Sequence, residues 1–286
     1  MTNQKILLYV FSIVAILIGT VSCTHSAPPL QPGDSERKVK VNDQERTYIL
    51  HLPPGLDSVE SVPVVFAFHE HGDTASAMQL LTGFDDISDK AGFLLVYPEG
   101  TGFAWNAGRC CGAAVTKNMD EAAFIRKILK DLRAVARIDS RRIYAAGFSN
   151  GGALAYRFAC EMSDTFAAVA SVAGTLLFSP CQPSQPVAIM DVHGLKDDLA
   201  LYEGGGDLNI PPVEQLIHTW AQLDDCTDSP QVDKENIITH TRYASCNAGT
   251  AVELYAIEGG KHVWPSKEVL DTSQIIWDFF AAHPKP

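Results

Sequence analysis

Short, largely apolar runs recur along the chain and alternate with segments in which apolar residues follow a helical spacing. A run that is apolar at nearly every position is typical of a strand buried on both faces, because neither face then meets water. Strands are predicted on this basis over 63–68, 93–97, 142–146, 167–171, 187–192 and 253–257. Residues 39–52 alternate between apolar and polar residues about Asn42 and Asp43, which indicates a β-hairpin.

Several segments carry the spacing of helices. The clearest is 119–136, whose apolar residues recur every three or four positions, with Asn118 as its candidate N-cap. The others are 150–161, 213–223 and 273–282. Because strands alternate with helices, we expect an α/β fold with a mainly parallel central sheet and helices on both faces. Side chains that do chemistry should then lie on loops at the carboxyl ends of the strands.

The N-terminus has the composition of a signal peptide. Lys5 supplies a positive charge, residues 6–21 are almost wholly apolar, and small residues follow. The sequence Thr-Val-Ser-Cys at 20–23 resembles a bacterial lipobox, in which the cysteine is lipidated and becomes the first mature residue. We therefore expect a signal peptide over 1–22 and an exported lipoprotein, anchored in a membrane through Cys23 and facing the periplasm or the exterior.

A change in composition marks the start of the folded part. Residues 24–38 include a Pro- and Ser-rich stretch that is typical of a flexible tether, and one α/β domain is expected over 39–286. Free secretion and an uncleaved membrane anchor are the alternatives to lipidation, since the apolar run approaches the length that spans a bilayer.

Charge and cysteine content narrow the function classes. The chain of 286 residues has a net charge of −12 and no cluster of Lys and Arg that could neutralise phosphates, so we expect no nucleic-acid partner. An even number of cysteines remains after Cys23, which indicates disulfides in an exported chain. These cysteines are Cys110, Cys111, Cys160, Cys181, Cys226 and Cys246.

The segment Gly-Phe-Ser-Asn-Gly at 147–151 matches the G-x-S-x-G pattern. The pattern alone is weak evidence, but here a predicted buried strand precedes it and a predicted helix follows. That context is typical of a nucleophile elbow, a tight turn that lifts the hydroxyl of Ser149 clear of the sheet.

A serine hydroxyl needs a base, and the base needs an acid that orients it. In the elbow-containing fold the chain order is serine, acid, histidine. Asp197 and Asp198 both follow the strand predicted over 187–192, and His262 lies on a Gly-rich loop after the strand predicted over 253–257. The pattern therefore predicts Ser149, one of these two acids and His262 as catalytic residues.

Several motifs resemble those of the polyhydroxybutyrate-depolymerase-type esterases, a group related to feruloyl and acetylxylan esterases. They are GFAWNAGRCCG at 102–112, DSRRIYAAGFSNGGALAYRFAC at 139–160, HGLKD at 193–197 and KHVWP at 261–265. The resemblance implies the α/β-hydrolase fold and an exported serine esterase that hydrolyses carboxylic esters through an acyl-enzyme intermediate, with no cofactor and no metal. It also selects Asp197 as the acid, because the family carries His-Gly-Thr-Ala-Asp in this loop.

The resemblance implies further roles. The oxyanion hole would use the backbone N–H groups of His71 and Asn150, and Trp105 and Trp264 become candidates for substrate binding, with a place in the core as the alternative. The family also implies disulfides, and it leaves Cys110 and Cys111 unassigned. The implied pairs are Cys160 with Cys181 and Cys226 with Cys246.

Two departures from the family pattern stand out. Leu195 and Lys196 replace Thr-Ala before the acid, and Glu70 replaces the glycine that follows His69. A carboxylate facing the oxyanion would repel it, so we expect Glu70 to point away, toward a Lys or Arg on a neighbouring loop.

Two other functions compete with the esterase. His69, His71 and Asp73 resemble the H-x-H-x-D zinc motif of metallo-β-lactamase-type hydrolases, although Thr74 stands where that motif ends in histidine. The second alternative is a catalytically silent surface lipoprotein that binds glycan or polyester. For the esterase, polyester oligomers, plant cell-wall esters and simple short-chain esters all remain open as substrates.

Overall fold

A mixed sheet forms the centre of the computed structural model, which describes residues 31–56 and 60–286. Its strands are β1 (Gly33–Val41), β2 (Gln44–Leu52), β3 (Val62–Phe68), β4 (Leu94–Pro98), β5 (Ile138–Phe148), β6 (Ala168–Val172), β7 (Ala188–Gly194), β8 (Gln231–Glu235), β9 (Ile238–Tyr243) and β10 (Val252–Ile257). They lie side by side in the order β1, β2, β4, β3, β5, β6, β7, β10, β9, β8.

The central strands are parallel and the edges are antiparallel. From β4 across to β10 every neighbouring pair is parallel. At one edge β1 and β2 join antiparallel, as the predicted hairpin requires, and at the other edge β9 and β8 do the same. The expectation of a mainly parallel sheet is confirmed.

Helices cover the sheet on both faces. They are α1 (Ala75–Thr82), α2 (Phe84–Ala91), α3 (Gly112–Thr116), α4 (Glu121–Leu132), α5 (Asn150–Glu161), α6 (Val213–Leu223) and α7 (Thr272–Ala282). Apolar residues of α4, α5 and α6 belong to one buried cluster, and those of α1, α2 and α7 to another.

The alternation of side chains along β3 explains the two clusters. Val64, Phe66 and Phe68 enter the cluster with α4, α5 and α6, whereas Val65 and Ala67 enter the opposite one. All of these side chains are fully buried. A central strand therefore has to be apolar at every position, which is the signal that the sequence carries.

Some predicted boundaries are wrong. Strand β1 begins at Gly33, so the tether predicted through residue 38 overlaps the sheet. Strand β1 pairs with β2 along its whole length, beginning with Gly33 opposite Leu52. Because β1 is an edge strand with one side facing solvent, it can carry charged residues. The N-cap of α4 is Asp120, whose side chain accepts a hydrogen bond from the N–H of Ala123, and not Asn118.

Residues Gln31–Pro286 form one compact unit. Among the described residues, we find no helix with both the length and the apolar composition that a bilayer crossing requires. The predicted signal peptide, Cys23 and the tether over 24–30 lie outside the described residues.

The cysteines within the described residues form disulfides. The bonds Cys160–Cys181 and Cys226–Cys246 are both present, with Cα atoms 5.0 and 3.8 Å apart, and both implied pairings are thereby confirmed. The remaining bond joins the adjacent residues Cys110 and Cys111, which the sequence left unassigned.

Candidate active site

Ser149 lies at the sharp turn between β5 and α5. Its backbone has φ 52° and ψ −114°, a conformation that costs a non-glycine residue about 1–3 kcal/mol. The flanking glycines make the turn possible. A Cβ atom on Gly147 would lie 2.2 Å from the backbone of Gly151, and one on Gly151 would lie 2.2 Å from the carbonyl oxygen of Phe68. The turn thus has the geometry expected of a nucleophile elbow.

His262 lies beside the Ser149 hydroxyl on the loop that follows β10. Its Nε2 is 2.8 Å from Ser149 Oγ, and its Nδ1 is 2.8 and 3.0 Å from the two carboxylate oxygens of Asp197. Because an ionised carboxylate only accepts hydrogen bonds, the network assigns the ring proton to Nδ1. Nε2 is then free to accept from the serine hydroxyl.

The loop after β7 fixes the carboxylate of Asp197. One oxygen accepts from the backbone N–H groups of Leu199 at 2.9 Å and Ala200 at 2.8 Å. Burial alone would raise the pKa of Asp197, but the hydrogen bonds from His262 and Leu199 outweigh it and lower that pKa. Asp198 is exposed, so the structure brings Asp197 and not Asp198 to the histidine.

A buried network lies behind Asp197, and the sequence analysis did not identify it. His193 Nε2 is 3.5 Å from the Asp197 carboxylate and 2.7 Å from the Ala200 carbonyl oxygen, and its Nδ1 is 3.3 Å from Asp191. Asp191 also accepts a 2.7 Å hydrogen bond from the Tyr156 hydroxyl. A usable signal was the position of His193, near the end of β7 and four residues before the acid.

The electrostatics of this network favour a positive charge on His193. Burial lowers the pKa of His193. The hydrogen bond to Asp191 and the charges of Asp191 and Asp197 raise that pKa by more, so the net shift is upward. A protonated ring donates from both nitrogens. The protonated form of His193 is therefore favoured by the two carboxylates that lie on either side of its ring.

A cavity of about 240 Å³ opens above Ser149 and His262. Its wall combines the Cys110–Cys111 disulfide with apolar side chains from the segment that follows Asp197. These apolar side chains include Leu199, Leu208 and Ile210, and Leu177 adds to them from the loop after β6. A cavity of this size and character suits a small acyl or alcohol group.

His71 and Asn150, the residues predicted for an oxyanion hole, both line this cavity. Within 31–56 and 60–286, neither backbone N–H meets an acceptor. The Asn150 side chain is held away, because its Oδ1 accepts from the N–H of Trp105 at 2.8 Å. Both backbone donors therefore remain available to a ligand.

The tryptophans predicted to bind substrate do not line the cavity around Ser149. Trp105 is fully buried, donates its indole N–H to the carbonyl oxygen of His69 at 2.8 Å and packs edge-on against Phe68. Trp264 is 8% exposed and packs edge-on against Phe84 and Phe148. Each ring thus fastens its loop to the body of the protein, as the core alternative expects, and neither ring lines the cavity around Ser149.

The zinc alternative meets a specific obstacle at His69. This residue is fully buried, its Nδ1 donates to the Glu70 carbonyl oxygen at 2.7 Å, and its Nε2 accepts from the Gly100 N–H at 2.9 Å. Burial also lowers its pKa. Since backbone groups occupy both ring nitrogens, His69 has no free lone pair for a metal, and the three-residue zinc site is not formed.

Glu70 does not point away from the site. Its side chain is half-buried and lines the same cavity as Ser149 and His262. Among the described residues, no Lys or Arg forms an ion pair with it. The expectation that Glu70 points toward a Lys or Arg is therefore wrong. The backbone of Glu70 is unstrained, because the residue with a positive φ in this loop is Gly72, at 90°.

Comparisons with known proteins identify the family of the chain. A family model described as esterase PHB depolymerase matches residues 46–242. Putative esterase NocK of Nocardia uniformis subsp. tsuyamanensis is 31% identical over 84% of this chain and 67% of its own length. Feruloyl esterase B of Piromyces equi is 28% identical over 76% of this chain, which spans only 42% of that relative. Poly(3-hydroxyalkanoate) depolymerase C of Paucimonas lemoignei is 26% identical over 75% of this chain and 58% of its own length.

Solved structures support the fold. The acetyl xylan esterase from Aspergillus awamori superposes with a TM-score of 0.63, covering 87% of this chain and 99% of that one at 14% identity. A ferulic acid esterase from Anaeromyces mucronatus superposes with a TM-score of 0.57 at 15% identity, covering 91% and 93% of the two chains. The predicted α/β-hydrolase fold is confirmed.

Proposed function

Because the chain belongs to the esterase PHB depolymerase family, we propose that it is a serine esterase that hydrolyses carboxylic esters through an acyl-enzyme intermediate. The observation that carries the proposal is the hydrogen-bonded series from Ser149 through His262 to Asp197, at the mouth of a cavity that could hold an ester. The zinc alternative lacks support because both ring nitrogens of His69 are occupied.

The proposed first step forms the acyl-enzyme. Ser149 Oγ attacks the ester carbonyl while His262 Nε2 takes the hydroxyl proton, and Asp197 stabilises the resulting imidazolium. The tetrahedral intermediate then collapses, and the same Nε2 delivers the proton to the departing alcohol. In the second step His262 removes a proton from water, the hydroxide attacks the acyl carbon, and Ser149 recovers its proton as the acid leaves.

The negative oxygen of each tetrahedral intermediate needs hydrogen-bond donors. The N–H groups of His71 and Asn150 suit this role, because both residues line the cavity and both groups lack an acceptor among the described residues. Backbone donors of this kind contribute about 2.7–4 kcal/mol each to stabilising a transition state. These donors belong to the backbone, so they remain present although Glu70 replaces the glycine of the family.

The relatives suggest which esters to test. They include proteins named feruloyl esterase, acetylxylan esterase and poly(3-hydroxyalkanoate) depolymerase. We propose that the substrate is an ester of one of these classes, namely a plant cell-wall ester, a polyester oligomer or a short-chain ester.

The experiment compares wild-type protein with Ser149→Ala on feruloyl, acetyl and 3-hydroxyalkanoate esters. Hydrolysis by the wild type and a loss on the order of 10³-fold or more in the variant would support the proposal. Binding of xylan or polyester without turnover of any ester would instead favour the silent lipoprotein.

We further propose that the protein is exported, with Cys23 lipidated and held in a membrane. The disulfides among residues 31–56 and 60–286 support an oxidising compartment. A lipidated protein should partition into detergent, and Cys23→Ser should abolish that partition. A mature N-terminus with no lipid, measured by mass spectrometry, would contradict lipidation.

A further inference from the structure

Glu70 is the acidic side chain that lines the cavity around Ser149. It lies two residues after the end of β3, next to the backbone N–H of His71, which we assign to the oxyanion hole. The electrostatic influence of His262 acts on its carboxyl group, second only to burial. Glu70 therefore borders the space that an ester bound at Ser149 and His262 would occupy.

The carboxylate of Glu70 is unusual in this protein because it is half-buried and lacks a hydrogen-bond donor. Within the described part of the chain, no N–H or O–H group reaches its side-chain oxygens. Other partly buried glutamates have donors. Glu99 accepts from the Ala75 N–H at 3.0 Å, Glu161 from Arg157 at 3.0 Å, and Glu253 pairs with Arg242 at 3.1 Å.

A carboxylate without a donor has two chemical consequences in a binding cavity. It accepts hydrogen bonds from hydroxyl groups, and these charge-assisted bonds are stronger than neutral ones. It also repels a second carboxylate, more strongly in a partly enclosed site than in water. Burial raises the pKa of Glu70, and the charges of His262 and His71 counteract that shift.

Among the residues that line the cavity, no other side chain is a carboxylate, although the hydroxyl of Thr175 also lies there. Leu177, Leu208 and Ile210 offer apolar surface, as does the Cys110–Cys111 disulfide. These groups suit the acyl chain of an ester. The alcohol half, which receives its proton from His262, is then the part of the substrate that can donate hydrogen bonds to Glu70.

We propose that Glu70 selects the alcohol half of the substrate, accepting hydrogen bonds from a hydroxyl-rich alcohol such as a sugar and disfavouring an alcohol half that carries a carboxylate. This inference rests on the proposed esterase function. It favours acylated sugars over esters of hydroxy acids, because a hydroxy acid released as the alcohol brings its own carboxylate toward Glu70.

The test uses three acetate esters with the same acyl group. Their alcohol halves are ethanol, a xylose hydroxyl and the hydroxyl of 3-hydroxybutyrate, so that they differ only in being simple, hydroxyl-rich or anionic. The specificity constant kcat/KM is measured for wild type, Glu70→Gln, Glu70→Ala and the control Glu203→Gln. Glu203 is exposed and does not line the cavity, so its variant changes the same charge elsewhere.

We expect Glu70→Gln to raise kcat/KM for the anionic ester about tenfold relative to the ethyl ester. We expect Glu70→Ala to lower kcat/KM for the xylose ester about tenfold on the same scale. Glu203→Gln should change neither ratio. Raising the salt concentration should improve hydrolysis of the anionic ester more in the wild type than in Glu70→Gln.

The two proposals can fail separately. If all variants hydrolyse the ethyl ester and the ratios stay the same, the role of Glu70 is overturned and the esterase proposal stands. If the wild type hydrolyses none of the acetates or the other esters, both are overturned.

Discussion

His262 and His51 each lie beside carboxylates, yet the structure gives them different surroundings. His262 has Asp197 on Nδ1 and the Ser149 hydroxyl on Nε2. His51 on β2 has carboxylates on both nitrogens, with Asp34 at 2.7 Å from Nδ1 and Asp89 at 3.0 Å from Nε2. The partner of the second nitrogen separates a ring placed to accept a proton from a hydroxyl from a ring held between two carboxylates.

The carboxylates around His51 favour its protonated form. Burial lowers its pKa, but hydrogen bonds to Asp34 and Asp89, with the nearby charge of Asp85, raise it overall. Both nitrogens of His51 face carboxylates, so neither is directed at a hydroxyl that could act as a nucleophile. The comparison teaches that proximity to an aspartate does not identify a catalytic histidine, whereas a hydroxyl on the opposite nitrogen is informative.

The largest expected effect is the loss of activity when the histidine of the active site is replaced. His262→Gln removes the proposed base and should lower kcat for ester hydrolysis by at least on the order of 10⁴-fold. The matched control, His51→Gln, should leave kcat within about twofold, because His51 is remote from the cavity. Equal losses in the two variants would contradict the distinction.

The next effect concerns the acid. Asp197→Asn should lower kcat on the order of 10⁴-fold, because an amide no longer holds the ring proton on Nδ1. Asp198→Asn changes the adjacent exposed carboxylate and should have little effect. Steady-state kinetics on one ester measures both variants, and a larger loss in Asp198→Asn would assign the acid to that residue.

The smallest effect concerns the stability that His51 contributes. A histidine with a raised pKa in the folded state stabilises the protein fully below its unfolded pKa of about 6.5, and the contribution is lost as pH rises through the folded value. His51→Gln should therefore lower the free energy of unfolding by about 1 kcal/mol near pH 6, since Asp34 and Asp89 are partly exposed.

Denaturant unfolding of wild type and His51→Gln at pH 6 and pH 9 measures this contribution. The gap between the two proteins should narrow at the higher pH. A gap that widens with pH would show that His51 is not held as a cation.

Local chemistry explains which parts of the site could be predicted from the sequence. The elbow at Ser149 depends on glycines within two residues of it, so a short stretch of sequence is enough to predict it. Asp197 and His262 follow from their places after β7 and β10. The buried strands could also be predicted from the sequence, since a strand covered on both faces must be apolar throughout.

Features that depend on distant neighbours were not predictable in the same way. Trp105 and Trp264 lie on loops near the site, but their rings turn inward to pack against residues far along the chain. His193 is significant only because Asp191 and Asp197 flank it. The orientation of Glu70 depends on a cavity that several loops build together.

The central claim is that Ser149 is the nucleophile, and covalent labelling tests it most directly. A fluorophosphonate reacts with an activated serine by losing fluoride and forming a bond to Oγ. After inhibition of the wild type and proteolysis, mass spectrometry should find one adduct, on the peptide containing Ser149, and none on His262→Gln treated in parallel. Complete inhibition with Ser149 unmodified, or ester hydrolysis that persists after Ser149 is fully labelled, would contradict the account.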